Sequence, residues 1–148
     1  MTYRSILVGT DGSDTATEAV RHAARLAAAC GARLTLATGY TPDPATVRAQ
    51  AEAPEEIRWR ITDAGAAEEK VGAAMREAVA LGVQDVVCKT GSGDPAGLLI
   101  DMAEEIGADV IVVGSKGMSS PSRFILGNVP NKVSHHAPCD VLIVHTAD

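Results

Sequence analysis

The sequence predicts an α/β fold built on a parallel sheet, and two observations lead to this prediction. Five short apolar runs, each bordered on at least one side by Gly, Pro or Asp, alternate with four stretches whose apolar residues recur at helical spacing. Alternation of this kind is typical of βαβ units, whose strands are parallel. The chain has 148 residues, so we expect residues 1–148 to form a single domain.

The first βα unit occupies the N-terminal part of the chain. Ser5–Thr10 (SILVGT) is an apolar run that ends in turn residues, which suits a strand buried on both faces. Small apolar residues at helical spacing follow, and Thr15 with Glu18 would form a capping box at the start of that helix. Gly31 would end the helix, and Arg33–Tyr40 (RLTLATGY) is the second strand.

The segment Thr41–Ile61 interrupts the alternation. It contains three prolines and the only tryptophan, Trp59. Connections longer than about 15 residues are usually functional or disordered. We therefore expect a long variable connection at about residues 41–61, anchored to the rest of the protein by Trp59.

The alternation resumes after this connection. A second helix is predicted from about Thr62 to Leu81, followed by a third strand at Val83–Lys89. Thr90–Pro95 (TGSGDP) is a predicted turn into a third helix, with Asp94 as the N-cap of that helix and Gly107 as its end.

The last part of the chain contains the most apolar strand and the final one. Asp109–Gly114 (DVIVVG) is followed by a glycine-rich loop, a short helix from about Pro130 to His136, and a strand at Asp140–His145. In parallel α/β sheets, ligands bind at the carboxyl ends of the strands where the strand order reverses. If the first and fourth strands are neighbours, the loops GTDGSD and GSKG open onto one crevice.

Composition and charge exclude several classes of function. The net charge of −6 argues against a general nucleic-acid binder, because such proteins contact phosphates through Lys and Arg. Aromatic residues make up only 3% of the chain, so the core has to consist of Ala, Val, Leu and Ile. The three cysteines are far apart, and we expect free, buried thiols. We find no signal peptide or membrane span, and we expect a cytoplasmic protein with neither a membrane nor a nucleic-acid partner.

The stretch Val113–Val133 (VGSKGMSSPSRFILGNVPNKV) carries three glycines, Gly114, Gly117 and Gly127, ahead of a helix. Neither the GxGxxG fingerprint nor a P-loop is present. Glycines placed in this way serve either turns or the close approach of a ligand to the backbone. A helix N-terminus has unpaired N–H groups and a partial positive charge, which makes it an anion site. The residues alone leave both interpretations open.

The spacing G-x2-G-x9-G followed by a small polar residue, placed after VIVVG, resembles the nucleotide-binding branch of the universal stress protein family. The segments ILVGTDGSD, ADVIVVGSKG, FILGNV and HHAPCDVLIVH resemble, in that order, four segments of the family across the whole chain. The resemblance implies a doubly wound five-stranded parallel sheet of order 3-2-1-4-5 with helices on both faces. This is an adenine-nucleotide alpha-hydrolase-like fold, in which the first and fourth strands are neighbours.

The resemblance also implies an adenine-nucleotide site, with ATP favoured and Mg²⁺ as a possible companion ion. It assigns the adenosine part to Gly9, Thr10, Asp11 and Gly39, the ribose and phosphates to Val113, Gly114, Ser115, Lys116 and Gly117, and the phosphate-facing helix start to Gly127, Asn128 and Val129. Asp11 would also face a metal ion held by the phosphates. The family commonly has a larger apolar residue at the position of Gly39, so we expect looser packing of adenine.

Asn128 departs from the family pattern, which has Ser or Thr at this position. An amide can donate to phosphate, but it is larger than a hydroxyl group and would crowd terminal phosphates. Pro130 removes one backbone donor just beyond it. AMP or cyclic AMP is therefore an alternative ligand to ATP.

The implied role is that of a dimeric stress-response regulator. In the family the last strand commonly pairs with its twofold mate, so we expect a homodimer through Val141, Leu142, Ile143, Val144 and His145, because exposed sheet edges pair with other chains. A ligand-independent interaction module is a further alternative. We expect a protein that is not an enzyme and that hydrolyses ATP at most slowly and incidentally, because no GxSxG elbow or nucleophile–base pair is present.

The adjacent histidines His135 and His136 form no recognisable metal site. On a helix their side chains would point about 100° apart, and Cys139 does not complete a zinc motif. We interpret them as the end of a helix, where cations are favourable.

Overall fold

The computed structural model describes residues 3–10, 14–40, 63–92, 94–115 and 128–146. Strands and helices alternate along these residues as the sequence predicts. They are β1 (Ser5–Gly9), α1 (Asp14–Cys30), β2 (Arg33–Tyr40), α2 (Asp63–Ala80), β3 (Asp85–Ser92), α3 (Pro95–Ile106), β4 (Val110–Gly114), α4 (Asn128–His136) and β5 (Asp140–Val144). The long connection predicted at about 41–61 lies outside the described residues, so it stays a prediction.

The strands form one parallel sheet of order β3-β2-β1-β4-β5, which confirms the order that the family resemblance implies. β1 lies in the middle, with Val8 opposite Leu36 of β2 on one side and opposite Val112 of β4 on the other. The chain moves outward from β1 through β2 to β3 and then returns to the other side of β1 as β4. The strand order therefore reverses between β1 and β4.

Helices cover both faces of the sheet because its strands are apolar on both faces. Successive strand residues point to opposite sides: Ile6 and Val8 pack with α1 and α2, and Leu7 packs with α3 and α4. The inner face of α1 is built largely from alanines, including Ala19 and Ala23, which are almost fully buried. The core consists mainly of Ala, Val, Leu and Ile, as the composition predicts.

The start of α3 and the ends of α1, α2 and α3 lie at residues suited to capping. The Asp94 side chain accepts a hydrogen bond from the Gly97 N–H at 2.9 Å and caps α3, with Pro95 in its first turn. Gly31, Gly82 and Gly107 follow α1, α2 and α3, with φ of 67°, 102° and 66°, in the left-handed region that glycine adopts at little cost. None of the described helices is long and apolar enough to cross a membrane.

The predicted third strand is present, but its predicted bounds and the turn after it are wrong. β3 runs from Asp85 to Ser92 rather than from Val83 to Lys89, and it pairs with β2 as far as Tyr40 opposite Ser92. A Cβ at Gly91 would lie 2.8 Å from Leu98 Cδ1. This glycine therefore makes room for α3 inside a strand, whereas the sequence suggested a turn.

Other boundaries move by one or two residues. α1 begins at Asp14, so Thr15 lies within its first turn and is not the N-cap of a capping box. α4 begins at Asn128 rather than near Pro130; Pro130 is tolerated there because the N–H groups of a first turn have no intrahelical partner.

The cysteines are free, as predicted, but the expected burial is wrong for Cys88. It lies on the edge strand β3, is exposed, and contacts Met75, with 3.6 Å between the two sulfur atoms. Cys30 and Cys139 are half-buried.

Candidate functional site

The carboxyl ends of β1 and β4 lie side by side, and they form the candidate site. The register places Val8 opposite Val112. Gly9 and Thr10 therefore leave the sheet next to Val113, Gly114 and Ser115, the segments that the sequence predicts to form one crevice. A ligand between these two chain segments would lie where parallel α/β sheets usually bind theirs.

The β1 side of the site is tightly fixed. The Thr10 N–H donates to the Ala37 carbonyl oxygen at 2.8 Å, which extends the β1–β2 pairing one residue beyond the strand, and Thr10 is only 2% exposed. A Cβ at Gly9 would lie 3.2 Å from both methyl carbons of Leu99, a residue that is 3% exposed. A side chain at residue 9 would therefore crowd the packing of α3 against the sheet. Gly39 lies near the end of β2, two residues beyond Ala37, opposite Gly91 of β3.

The β4 side is held by the end of the chain. Val113 is 5% exposed and belongs to the core that the sheet forms with α3 and α4. Its side chain is therefore not available to a ligand. The Ser115 N–H donates to the Val144 carbonyl oxygen at 2.7 Å, and the Thr146 N–H donates to Ser115 Oγ at 3.2 Å. A Cβ at Gly114 would lie 3.1 Å from Thr146 Cγ2 and 3.1 Å from Thr146 Oγ1.

The helix α4 starts after the loop that follows β4, and it is anchored at two points. Val129 packs against the core on the α3 and α4 face, and Lys132 Nζ lies 2.7 Å from Asp94 Oδ2. That ammonium group, together with the Gly97 N–H, holds the pKa of Asp94 below its ordinary value. The first turn of α4 contains no acidic residue, so no carboxylate there opposes the attraction of an anion to its N–H groups.

Four predicted site residues lie outside the described residues. They are Asp11, Lys116, Gly117 and Gly127. The assignment of Asp11 to a metal ion, and the contacts of these residues with phosphate, stay predictions.

Thr146 contacts Gly114 and Ser115 of the candidate site. It was not predicted from the sequence, because the closing strand was expected to end at His145. The signal was its position: a residue that follows β5 lies at the same edge of the sheet as the end of β4, the neighbouring strand.

The histidine pair at the end of α4 brings no metal ligands together. His135 and His136 are exposed, and their ring centres lie 6.4 Å apart at an angle of 55°. Across the described part of the chain, no group of three or more His, Cys, Asp or Glu side chains is placed to hold a metal ion.

The edge strand β5 exposes apolar side chains, whereas the opposite edge is charged. Leu142 and Ile143 are 41% and 38% exposed, Val141 is half-buried, Val144 is buried, and His145 lies just beyond the strand. On the opposite edge, β3 carries two charged residues in ion pairs, Asp85 with Arg33 at 2.8 Å and Lys89 with Glu105 at 3.1 Å.

The sequence matches the Universal stress protein family over residues 2–145. Universal stress protein Rv1636 of Mycobacterium tuberculosis is 38% identical over 144 residues, which cover 97% of each chain. A putative universal stress protein of Staphylococcus aureus, SAUSA300_1656, is 33% identical, and the match covers 100% of this chain and 87% of that protein.

The fold is also that of solved universal stress proteins. One of them, crystallised in complex with cAMP, is 33% identical and superposes with a TM-score of 0.75, covering 99% of this chain and 100% of its own. The two relatives and the solved structure therefore each match nearly the whole of this chain.

Proposed function

This chain belongs to the universal stress protein family, and from that premise we propose that it is a dimeric, adenine-nucleotide-binding stress-response regulator rather than an enzyme. The observation that carries the proposal is the pairing of β1 with β4. It brings Gly9 and Thr10 beside Val113–Ser115 at the point where the strand order reverses. Binding at this edge would use the backbone of these segments and the partial positive charge at the start of α4, whereas hydrolysis would need a placed base.

The ligand that we propose first has a single phosphate, cyclic AMP or AMP. Pro130 lies in the first turn of α4 and removes one of its backbone donors. Asn128, at the start of the same turn, is bulkier than the Ser or Thr of the family pattern. The 33% identical relative in complex with cAMP supports the same choice.

ATP is the second candidate, with Mg²⁺ near Asp11. The glycine spacing G-x2-G-x9-G is intact in this chain, which favours nucleotide binding, and ATP is the nucleotide that the family resemblance favours. The two candidates differ in whether the start of α4 has room and donors for terminal phosphates.

Calorimetric titration of the purified protein with cyclic AMP, AMP and Mg-ATP tests the proposal. We expect cyclic AMP or AMP to bind more tightly than Mg-ATP. In Asn128→Ser we expect the affinity for ATP relative to cyclic AMP to rise about tenfold, or about 1.4 kcal/mol. Asn131→Ser is the matched control, because Asn131 lies on the same helix, is exposed, and is three residues beyond the helix start.

Each result of this titration has a definite meaning. An unchanged ratio in Asn128→Ser would refute crowding by the amide. A wild-type preference for Mg-ATP would reverse the order of the two candidates. A wild-type protein that binds none of the three nucleotides would refute the proposed function and favour a ligand-independent interaction module.

We further propose that the protein forms a homodimer through β5. The support is the contrast between the two edges of the sheet: apolar and exposed at Val141–Val144, but charged and ion-paired at Asp85 and Lys89. Charged side chains are one of the ways in which proteins prevent pairing at a sheet edge, and β5 lacks this protection after Asp140.

A further inference from the structure

The side chain of Thr146 occupies the space where Gly114 would carry a Cβ. Both outer atoms of Thr146, Cγ2 and Oγ1, lie 3.1 Å from that position, which is closer than ordinary van der Waals contact, whereas its Cβ lies 3.7 Å away. The φ of Gly114 is not positive. An alanine at 114 would therefore be crowded by a neighbouring side chain and not strained by the conformation of the backbone.

Two hydrogen bonds of Ser115, one through its backbone and one through its hydroxyl group, hold residues 144–146 beside Gly114. The Ser115 N–H donates to the Val144 carbonyl oxygen, and the Thr146 N–H donates to Ser115 Oγ. Gly114 is the last residue of β4 that pairs with β5. These two bonds of Ser115 continue the contact between the two segments beyond that pair. This contact therefore fixes Ser115 beside residues 144–146 at the carboxyl end of β4.

The hydroxyl group of Thr146 makes no hydrogen bond within the described residues. Thr146 Oγ1 is buried and is the one side-chain oxygen or nitrogen of the described residues that is buried without a hydrogen-bond partner. A buried hydroxyl without a partner is unfavourable. The contact of Thr146 with Gly114 is therefore one of shape.

We infer that Thr146 is a positioning residue of the nucleotide site. Its side chain fills the space over Gly114 and fixes the direction in which the chain leaves β4. The first glycine of the G-x2-G-x9-G motif is then glycine because Thr146 lies against it. This inference rests on the proposed nucleotide binding for its functional part.

A double-mutant cycle tests the inference. The proteins are the wild type, Gly114→Ala, Thr146→Ala and the double variant, with Thr146→Val as a control that keeps the shape and removes the hydroxyl. Two quantities are measured for each protein: the dissociation constant for cyclic AMP by calorimetry, and the midpoint of thermal unfolding without nucleotide.

Compensation between the two positions is the expected result. Gly114→Ala should weaken cyclic AMP binding roughly tenfold, because an overpacked contact displaces its neighbours. In the double variant the methyl group of residue 114 occupies space that Thr146 vacates, so binding should return to within about threefold of the wild type. Thr146→Val should bind within about twofold of the wild type, because its two methyl groups reproduce the shape of threonine and the hydroxyl that it removes has no hydrogen-bond partner in the described residues.

Two results would overturn the inference. Additive losses in the double variant would mean that the ligand itself requires the bare backbone of Gly114. A Thr146→Val protein as weak as Thr146→Ala would mean that the hydroxyl acts and not the shape. If the wild type binds no nucleotide, the proposed function fails, and the unfolding midpoints still test the contact: compensation between the two variants supports the packing of Thr146 against Gly114, and additivity refutes it.

Discussion

Two glycines in this protein should respond in opposite ways to the same substitution. Gly9 faces Leu99, whose two methyl carbons lie 3.2 Å from a Cβ at residue 9 and cannot retreat because Leu99 is buried. We expect Gly9→Ala to lower the free energy of unfolding by about 1–3 kcal/mol. Urea-induced unfolding without nucleotide measures this change.

The control for that substitution is Gly72→Ala on α2. The nearest atom to a Cβ at Gly72 is Arg76 Nη1, 3.8 Å away. Alanine is the better helix former, so this variant should gain about 0.5–1 kcal/mol. If Gly9→Ala were as stable as the wild type, the packing of α3 would not be the reason for this glycine.

Asp109 connects the start of β4 to the start of β1. Its Oδ2 accepts hydrogen bonds from the Arg4 N–H at 2.8 Å and the Ser5 N–H at 2.9 Å. These two bonds, that from Arg4 first, hold the pKa of Asp109 below its ordinary value of 3.8. A carboxyl group whose pKa is lowered by folding stabilises the protein above its unfolded pKa, and this contribution is lost as the pH falls through the folded pKa.

The expected consequence is a loss of stability in acid that depends partly on this residue. The free energy of unfolding of the wild type should fall as the pH is lowered below about 4, and the fall should be shallower in Asp109→Asn. Asn keeps an acceptor oxygen, so Asp109→Ala should be the less stable of the two variants at pH 7. Denaturant titrations between pH 2 and 7 give both comparisons, and equal pH slopes in the wild type and Asp109→Asn would contradict the argument.

At the scale of elements, Asp94 joins two helices. Its carboxylate caps α3 through the Gly97 N–H and pairs with Lys132 of α4, an exposed ion pair. Asp94→Ala removes the cap and the pair, and should cost about 1 kcal/mol or somewhat more. Asp94→Asn keeps a good N-cap and loses only the charge, so it should cost a few tenths of a kcal/mol, as expected for an exposed pair.

Chemical denaturation of the two variants separates these contributions. Lys132→Met provides a third protein, in which the cap stays and the pair is lost, and it should resemble Asp94→Asn. Equal losses in Asp94→Ala and Asp94→Asn would show that the ion pair, and not the cap, supports the start of α3.

Elements were predictable from the sequence where one physical signal acts alone. The apolar runs located β1, β2, β4 and β5 within a residue, and Asp94 and Gly107 marked the ends of α3 because capping depends on local chemistry. β3 was misplaced because Gly91 carries a tertiary signal, the proximity of Leu98, which the sequence does not distinguish from a turn. Thr146 was missed for the same reason: its contact with Gly114 exists only after β4 and β5 have paired.

At the scale of the whole molecule, the prediction concerns which edge of the sheet pairs with a second copy. A lysine at position 143 places a charge on the exposed edge strand, where pairing would have to bury it. Because Ile143 is 38% exposed in the single chain, the fold should tolerate this change. We expect Ile143→Lys to sediment as a monomer under conditions in which the wild type is a dimer.

The matched control introduces the same charge on another exposed apolar residue. Val79 of α2 is 56% exposed, and Val79→Lys should leave the dimer intact because α2 is not part of the β5 edge. Sedimentation equilibrium over a range of concentrations measures both variants. A monomeric wild type would refute the dimer itself. A dimer that persists in Ile143→Lys but dissociates in Val79→Lys would move the interface from β5 to the α2 face, where Met75 and Cys88 are also exposed.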